Sequence, residues 1–187
     1  MIIQSDYPFI KVNGILAAQT TRTAKVFTKF LLEENFDLVI EIGTDRAGFS
    51  ELIYGINKNL VSYDISNERN ESNKPIDFRI SNCFSGDTIL DIKEEIDKHN
   101  KVLILCDGGD KETEVKLFSL FLKHGSYIMC HDYADNEEDY ITNMRLTGWP
   151  SEAESRLENL SRSLNILEKS YNYKEFTEIF WGCFVKK

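Results

Sequence analysis

The sequence predicts a single α/β domain, a mostly parallel sheet with helices on both faces. Three observations carry that expectation. Short apolar runs, Leu38–Ile42 and Val102–Cys106 among them, end in a glycine or an acid. Amphipathic segments of helical period separate these runs. The β-then-α alternation repeats five times and breaks only after Tyr133. Strands that are apolar throughout, without polar alternation, are what a sheet covered on both faces requires.

Taken in order, residues 1–16 read as loop and turn, with Tyr7-Pro8 and Asn13-Gly14 as breakers. Helical spacing of Ala24, Phe27, Phe30, Leu31 and Leu32 predicts a helix from about Gln19 to Glu34, capped by Thr20 or Thr21. Packing on the sheet is the reading favoured over a lid, and 1–35 forms an N-terminal helical cap. The first strand is Leu38–Ile42, followed by a glycine turn and a helix to about Ile56. Leu60–Ile65 is a second strand and Asp77–Ile80 a third, with a polar loop at 67–75 between them. A helix over Thr88–His99 carries Ile89, Ile92 and Ile96 on one face. The strongest strand signal, Lys101–Asp107, stops at Gly108-Gly109; Asp110 can cap a helix to about His124, which Gly125 ends. Ser126–Cys130 is the fifth strand. Ser151–Glu154 matches a capping box, which predicts a helix to about Ser170. Phe176–Val185 closes the chain as an aromatic-rich strand, and 133–172 is the insertion expected to recognise a substrate.

Composition narrows the function. At 187 residues the chain can bury a sizeable core, and its net charge of −9 disfavours nucleic acid and anionic membrane surfaces as partners. No apolar run approaches the roughly 20 residues of a membrane span. Cys83, Cys106, Cys130 and Cys183 form no CxxC pair and read as reduced and structural, which fits a cytoplasmic protein.

In a parallel sheet the strand C-termini share one edge, where ligands bind at the switch in strand order. That edge collects Glu41 with Gly43, then Asp64, Asn82, Asp107, and His131 with Asp132. Gly43 and Gly48 allow close approach to the backbone. Asp64 follows Gly43 by 21 positions, the offset at which a carboxylate reaches ribose hydroxyls. Asn82 offers both donor and acceptor to an adenine edge. No phosphate-binding loop is present. An uncharged-tail nucleoside with a cationic sulfonium, S-adenosylmethionine, suits this acidic crevice better than a phosphate-bearing cofactor.

The Glu41-Ile42-Gly43-Thr44-Asp45-Arg46-Ala47-Gly48 run, Asp64, Asp107-Gly108 and His131-Asp132-Tyr133 together resemble class I S-adenosylmethionine-dependent methyltransferases. Within them the sequence is similar to the macrocin O-methyltransferase and cephalosporin hydroxylase-like group. The resemblance implies a Rossmann-like methyltransferase domain, a seven-stranded sheet with an antiparallel C-terminal strand. It implies a cofactor site from Glu41, Gly43, Thr44, Gly48, Asp64, Ile65, Asn82, Cys83 and Asp107. It further implies a divalent cation on the acids Asp107 and Asp132, with His131, where that group usually carries an acid, as the candidate third ligand; an all-oxygen set suits Mg²⁺ or Ca²⁺. Two carboxylates about 4 Å apart repel by roughly 4 kcal/mol at an effective dielectric of 20, which a hard cation would relieve. The alternative is that Asp107 binds the methionine amino group or the substrate while Asp132 orients His131.

The expected activity is O-methylation of a small molecule, a sugar among the candidates, with His131 and Asp107 as catalytic groups. His131 is open between base, ligand and neither. Arg46 is open between the cofactor carboxylate and solvent, and Trp149 between substrate recognition and packing. Competing readings are an NAD-dependent oxidoreductase, which lacks its third glycine, and a non-catalytic binding module that forms a homo-oligomer.

Overall fold

The computed structural model describes residues 1–67, 70–150, 152–160 and 163–187. The N-terminus is not loop. Strands β1 (Ile3–Asp6), β2 (Phe9–Val12) and β3 (Ile15–Ala17) form an antiparallel meander, closed by Asn13 and Gly14 at positive φ. The turn signals were real, but the short strands they separate are too brief for a period-2 pattern to show. Helix α1 (Thr21–Glu34) then starts at Thr20, whose side chain accepts from the Thr23 backbone while the Thr23 side chain reaches back. It buries Phe27, Phe30 and Leu31 in the core, so the packing reading of this helix holds.

Five strands follow where expected, with three helices among them, because no helix among the described residues joins the second strand to the third. They comprise β4 (Leu38–Ile42), α2 (Gly48–Ile56), β5 (Leu60–Asp64), β6 (Asp77–Ile80), α3 (Gly86–Lys98), β7 (Val102–Cys106), α4 (Lys111–Phe118) and β8 (Tyr127–Cys130). Asp110 caps α4 through the Thr113 amide. That helix stops at Phe118 rather than near His124, because tight i→i+3 bonds from Leu120 and Phe121 replace the helical pattern before Gly125.

The segment after Tyr133 departs most from expectation. A two-residue strand β9 (Tyr133–Ala134) leads into the short helix α5 (Glu137–Asp139) and irregular turns to Thr147. No helix spans 151–170. Ser155–Arg156 (β10) pairs in parallel with β9, 3₁₀ turns take Leu157–Leu160 and Ser163–Asn165, and Leu167–Lys169 is strand β11. The expected cap, Ser151, lies outside the described residues, as do two residues of the loop expected at 67–75. The helical period was carried by Leu157, Leu160, Leu164 and Leu167, and all four do pack on one core. Serines and asparagines among them are weak helix formers, and the Glu154 and Ser155 amides bond instead to the Asp132 carbonyl. Of the strand expected at Phe176–Val185, the first two residues belong to helix α6 (Tyr173–Thr177), and the strand itself is β12 (Gly182–Lys186).

Seven strands form one sheet in the order β11-β12-β8-β7-β4-β5-β6. β4 through β8 are parallel, while β12 runs antiparallel to β8 and β11 antiparallel to β12. One face packs α1, α2 and α6 through Phe27, Leu52 and Phe176; the other packs α3 and α4 through Ile92, Ile96 and Phe118. The chain leaves β4 toward β5 and β6, then returns to its other side at β7. The switch point therefore lies between the ends of β4 and β7, which is where a ligand crevice belongs. All four cysteines are buried and free, and among the described residues no helix is long and apolar enough to cross a membrane.

Candidate active site

A cavity of about 730 Å³ opens at that switch point, within the range of small-ligand sites. At its floor Gly43 has φ +93°, and a Cβ there would lie 2.2 Å from the Asp107 carbonyl oxygen. The turn therefore needs glycine twice over, for its backbone conformation and for the close approach of β7. Gly48 is also sterically required, but by the chain itself: a Cβ would meet the Leu16 carbonyl at 2.2 Å. Its role is to let α2 abut β3, not to admit a ligand.

Asp64 lines the cavity and organises the turn. Its Oδ2 accepts from the Thr44 and Asp45 amides at 2.8 and 3.1 Å, and Oδ1 from the Ser66 amide at 3.1 Å. Three of roughly four acceptor sites on the carboxylate are thus filled, leaving room for one ribose hydroxyl rather than two. Asn82, Cys83 and Ile65 also face the cavity. Asn82 Oδ1 accepts from the Phe84 amide at 2.9 Å, which leaves its amide nitrogen as the group to address a base. Ile65 and Phe84 are exposed apolar side chains flanking that end. Burial pushes the Cys83 thiol up to about 12, so it is an inert wall.

Glu41 and Thr44 do not line the cavity. The Glu41 carboxylate points into the protein, where Oε2 accepts from Ser50 and from Ser62 at 2.6 Å, and Thr44 Oγ1 shares a 2.6 Å bond with Ser62. Burial raises the Glu41 pKa to about 7, against the two serine hydrogen bonds. Arg46 is half exposed and paired to Glu71 at 3.3 Å, away from the cavity.

The opposite end brings Asp107, His131 and Asp132 together, with one ligating atom of each within 4.8 Å of the others. His131 Nδ1 lies 3.0 Å from Asp107 Oδ1, and its ring stacks on Trp181 at 4.7 Å. Its Nε2 is 3.3 Å from the Gln19 amide nitrogen, and Gln19 Oε1 accepts from the Trp181 indole at 3.0 Å. An indole N–H only donates, so Gln19 must turn its oxygen to Trp181 and its NH₂ to His131. The hydrogen-bond network thereby assigns His131 as the tautomer with Nε2 accepting and Nδ1–H donating to Asp107. Asp132 Oδ1 accepts from the Trp149 indole at 2.8 Å. Trp149 is therefore both a buried side chain and a wall of the cavity.

Sequence reasoning missed Lys111, Gln19, Trp181 and Glu114. Lys111 Nζ is nearly buried, 3.7 Å from Asp107 Oδ1 and 3.6 Å from Asp132 Oδ2, and anchored by a short bond to Glu154. Burial disfavours its charge, but Asp107, Glu154 and Asp132 outweigh that and hold the ammonium above the usual lysine range. Lys111 opens α4 while Asp107 lies before the Gly108-Gly109 turn, so no helical spacing rule pointed to their contact. Glu114 is buried at the cavity with Oε1 unpartnered, and burial raises it to about 7. The donor types of the Asp107–His131–Asp132 cluster suit a cation. Its occupied state does not: a dication held about 4 Å from the Lys111 ammonium would be repelled by roughly 8 kcal/mol at an effective dielectric of 20.

The sheet order, the antiparallel end and the crevice define the fold of class I S-adenosylmethionine-dependent methyltransferases. A structure of CmcI with Mg and SAM matches at TM-score 0.68 and 16% identity, over 98% of this chain and 78% of that one. A CmcI apo-structure matches at 0.67 and 15%, over 94% and 75%. A putative caffeoyl-CoA O-methyltransferase from Staphylococcus aureus matches at 0.55 and 9%, over 88% and 83%. No protein-family model and no curated protein matches the sequence.

Proposed function

We propose that this protein is an S-adenosylmethionine-dependent methyltransferase acting on a hydroxyl of a small molecule. The observation that supports it is the single cavity wall running from Gly43 and Asp64 through Asp107 to His131 at the sheet's switch point. Solved relatives of the same fold are described with SAM or with SAH, CmcI among them.

In this reading Asp64 takes one ribose hydroxyl, and the Asn82 amide and the apolar Ile65–Phe84 pair hold the base. The acceptor enters past Phe9, Ala18 and Trp149, an apolar wall that fits a ring-bearing molecule. Transfer moves the methyl from sulfur to oxygen, leaving a neutral thioether. The hydroxyl proton passes to Asp107, the most open acid of the cluster. His131 acts on Asp107 rather than on substrate, because its one lone pair faces Gln19, so its role is positioning. No step runs through a metal, since Lys111 stands where one would bind.

Isothermal titration with S-adenosylhomocysteine tests the reading. The expected result is one site per chain, weakened at least about tenfold by Asp64→Asn, which removes an ionised acceptor. Absence of binding at millimolar ligand would overturn it, and an NADH fluorescence change on mixing would favour the oxidoreductase reading instead.

A further inference from the structure

We propose that Lys111 is the resident cation of the Asp107–Asp132 centre, and that the protein binds no divalent metal there. The inference rests on the methyltransferase reading only in placing methyl transfer at this end of the cavity; metal binding itself is measured without cofactor.

Two separate features lead to it. First, the oxygens a metal would need already face protein donors. Lys111 Nζ sits between Asp107 Oδ1 and Asp132 Oδ2 at 3.7 and 3.6 Å. Asp132 Oδ1 receives the Trp149 indole N–H at 2.8 Å. A buried ammonium held between two carboxylates supplies the charge neutralisation that a cation would otherwise provide. Glu154 keeps it there from the segment after Trp149.

Second, the third ligand is turned the wrong way. Metal ligation by His131 Nδ1 needs a lone pair on that nitrogen. The proton would then have to move to Nε2, which faces the NH₂ of Gln19. Turning the Gln19 amide over would accommodate that proton, but would set its NH₂ against the Trp181 indole N–H. The lock runs from Trp181 through Gln19 to His131, and all three side chains are buried.

Among the described residues this is the one cluster of three side chains placed to hold a metal. Binding can therefore be assigned by mutation. The test is Mn²⁺ titration of the full chain, stripped of metal by a chelator and followed by electron paramagnetic resonance. The wild type is expected to bind no Mn²⁺ at submillimolar concentration. Lys111→Gln frees the Asp107 and Asp132 carboxylates whatever the state of His131, and is expected to gain one site per chain on that pair, at least about tenfold tighter than any residual wild-type binding. Adding Asp132→Asn to Lys111→Gln should abolish the gained site. Should Lys111→Gln fail to fold, Lys111→Met keeps the apolar stem, drops the ammonium and is judged by the same gain.

A stoichiometric wild-type site lost in Asp107→Asn would overturn the proposal. So would a folded Lys111→Gln that binds no better than wild type, or a gained site that survives Asp132→Asn. S-adenosylhomocysteine titration on the same samples keeps the outcomes apart. Loss of nucleoside binding would sink the methyltransferase reading while the Mn²⁺ result still stands on its own.

Discussion

The two ends of the cavity are built by opposite means. The end near Gly43 is local: Gly43, Thr44, Asp45 and Asp64 come from one strand–turn–helix–strand unit, tied by Asp64 to three amides. The end near His131 is assembled from distant parts of the chain. Gln19 precedes α1, Lys111 opens α4, Trp149 follows the irregular turns, and Trp181 precedes β12. A motif-built end tolerates little change at the backbone. An assembled end is held by side-chain hydrogen bonds, each of modest energy, with those of Gln19 and Trp149 buried.

The largest effect should fall on the first end. Gly43→Ala puts a Cβ 2.2 Å from the Asp107 carbonyl at φ +93°. Relieving that contact separates β4 from β7 at the switch point. A loss of roughly 3–5 kcal/mol in chemical denaturation is expected, with S-adenosylhomocysteine binding lost as well. A variant of wild-type stability would show that the turn can shift as a unit and that the local end is softer than its geometry implies.

Glu41 gives a smaller effect, with a pH signature. Its folded pKa is raised to about 7 by burial. Protonation is thus favoured in the folded state, and the stability that goes with it is intact below the ordinary glutamate value of about 4.3. It is lost as pH rises from there through 7, by roughly 4 kcal/mol in full. Glu41→Gln carries no such titration and can still accept from Ser50 and Ser62. Its stability relative to wild type should therefore improve between pH 5 and pH 8, read by urea denaturation at both. Glu114 titrates in both proteins and cancels in the difference. A pH-independent difference would mean that Glu41 stays ionised on its serines.

The same contrast explains what was legible. β4, β5, β7 and β8 could be read because each is a mainly apolar run ending at a breaker, and the helices among them keep a 3.6 period. Asp64 and Gly43 followed from offsets within one unit. The N-terminal meander could not be read that way, since three- and four-residue strands carry no periodic signal. The helix expected over 151–170 failed because a leucine period is equally served by 3₁₀ turns and a short edge strand once tertiary contacts take the backbone amides. Asp107, His131 and Asp132 were placed by strand ends alone. What they do there was not legible, because it depends on Gln19, Lys111 and Trp181, and contacts across 112 positions, as between Gln19 and His131, leave no trace in spacing.

Gln19→Met tests whether the assembled end is separable from the local one. Methionine keeps the length and apolar bulk of the side chain but offers no amide. The Trp181 indole N–H and His131 Nε2 each lose a buried neutral partner, at a cost of about 1–2 kcal/mol in stability. With the tautomer lock gone, His131 no longer presents Nδ1–H to Asp107 by necessity, and the carboxylate that takes the acceptor's proton loses its fixed orientation. Once an acceptor is in hand, kcat should fall about tenfold or more while S-adenosylhomocysteine affinity stays within about twofold of wild type. A merely structural role for Gln19 predicts the reverse: lower stability with kcat unchanged. If affinity instead falls in step with kcat, the two ends share one cooperative unit, and the division drawn between Gly43 and His131 fails.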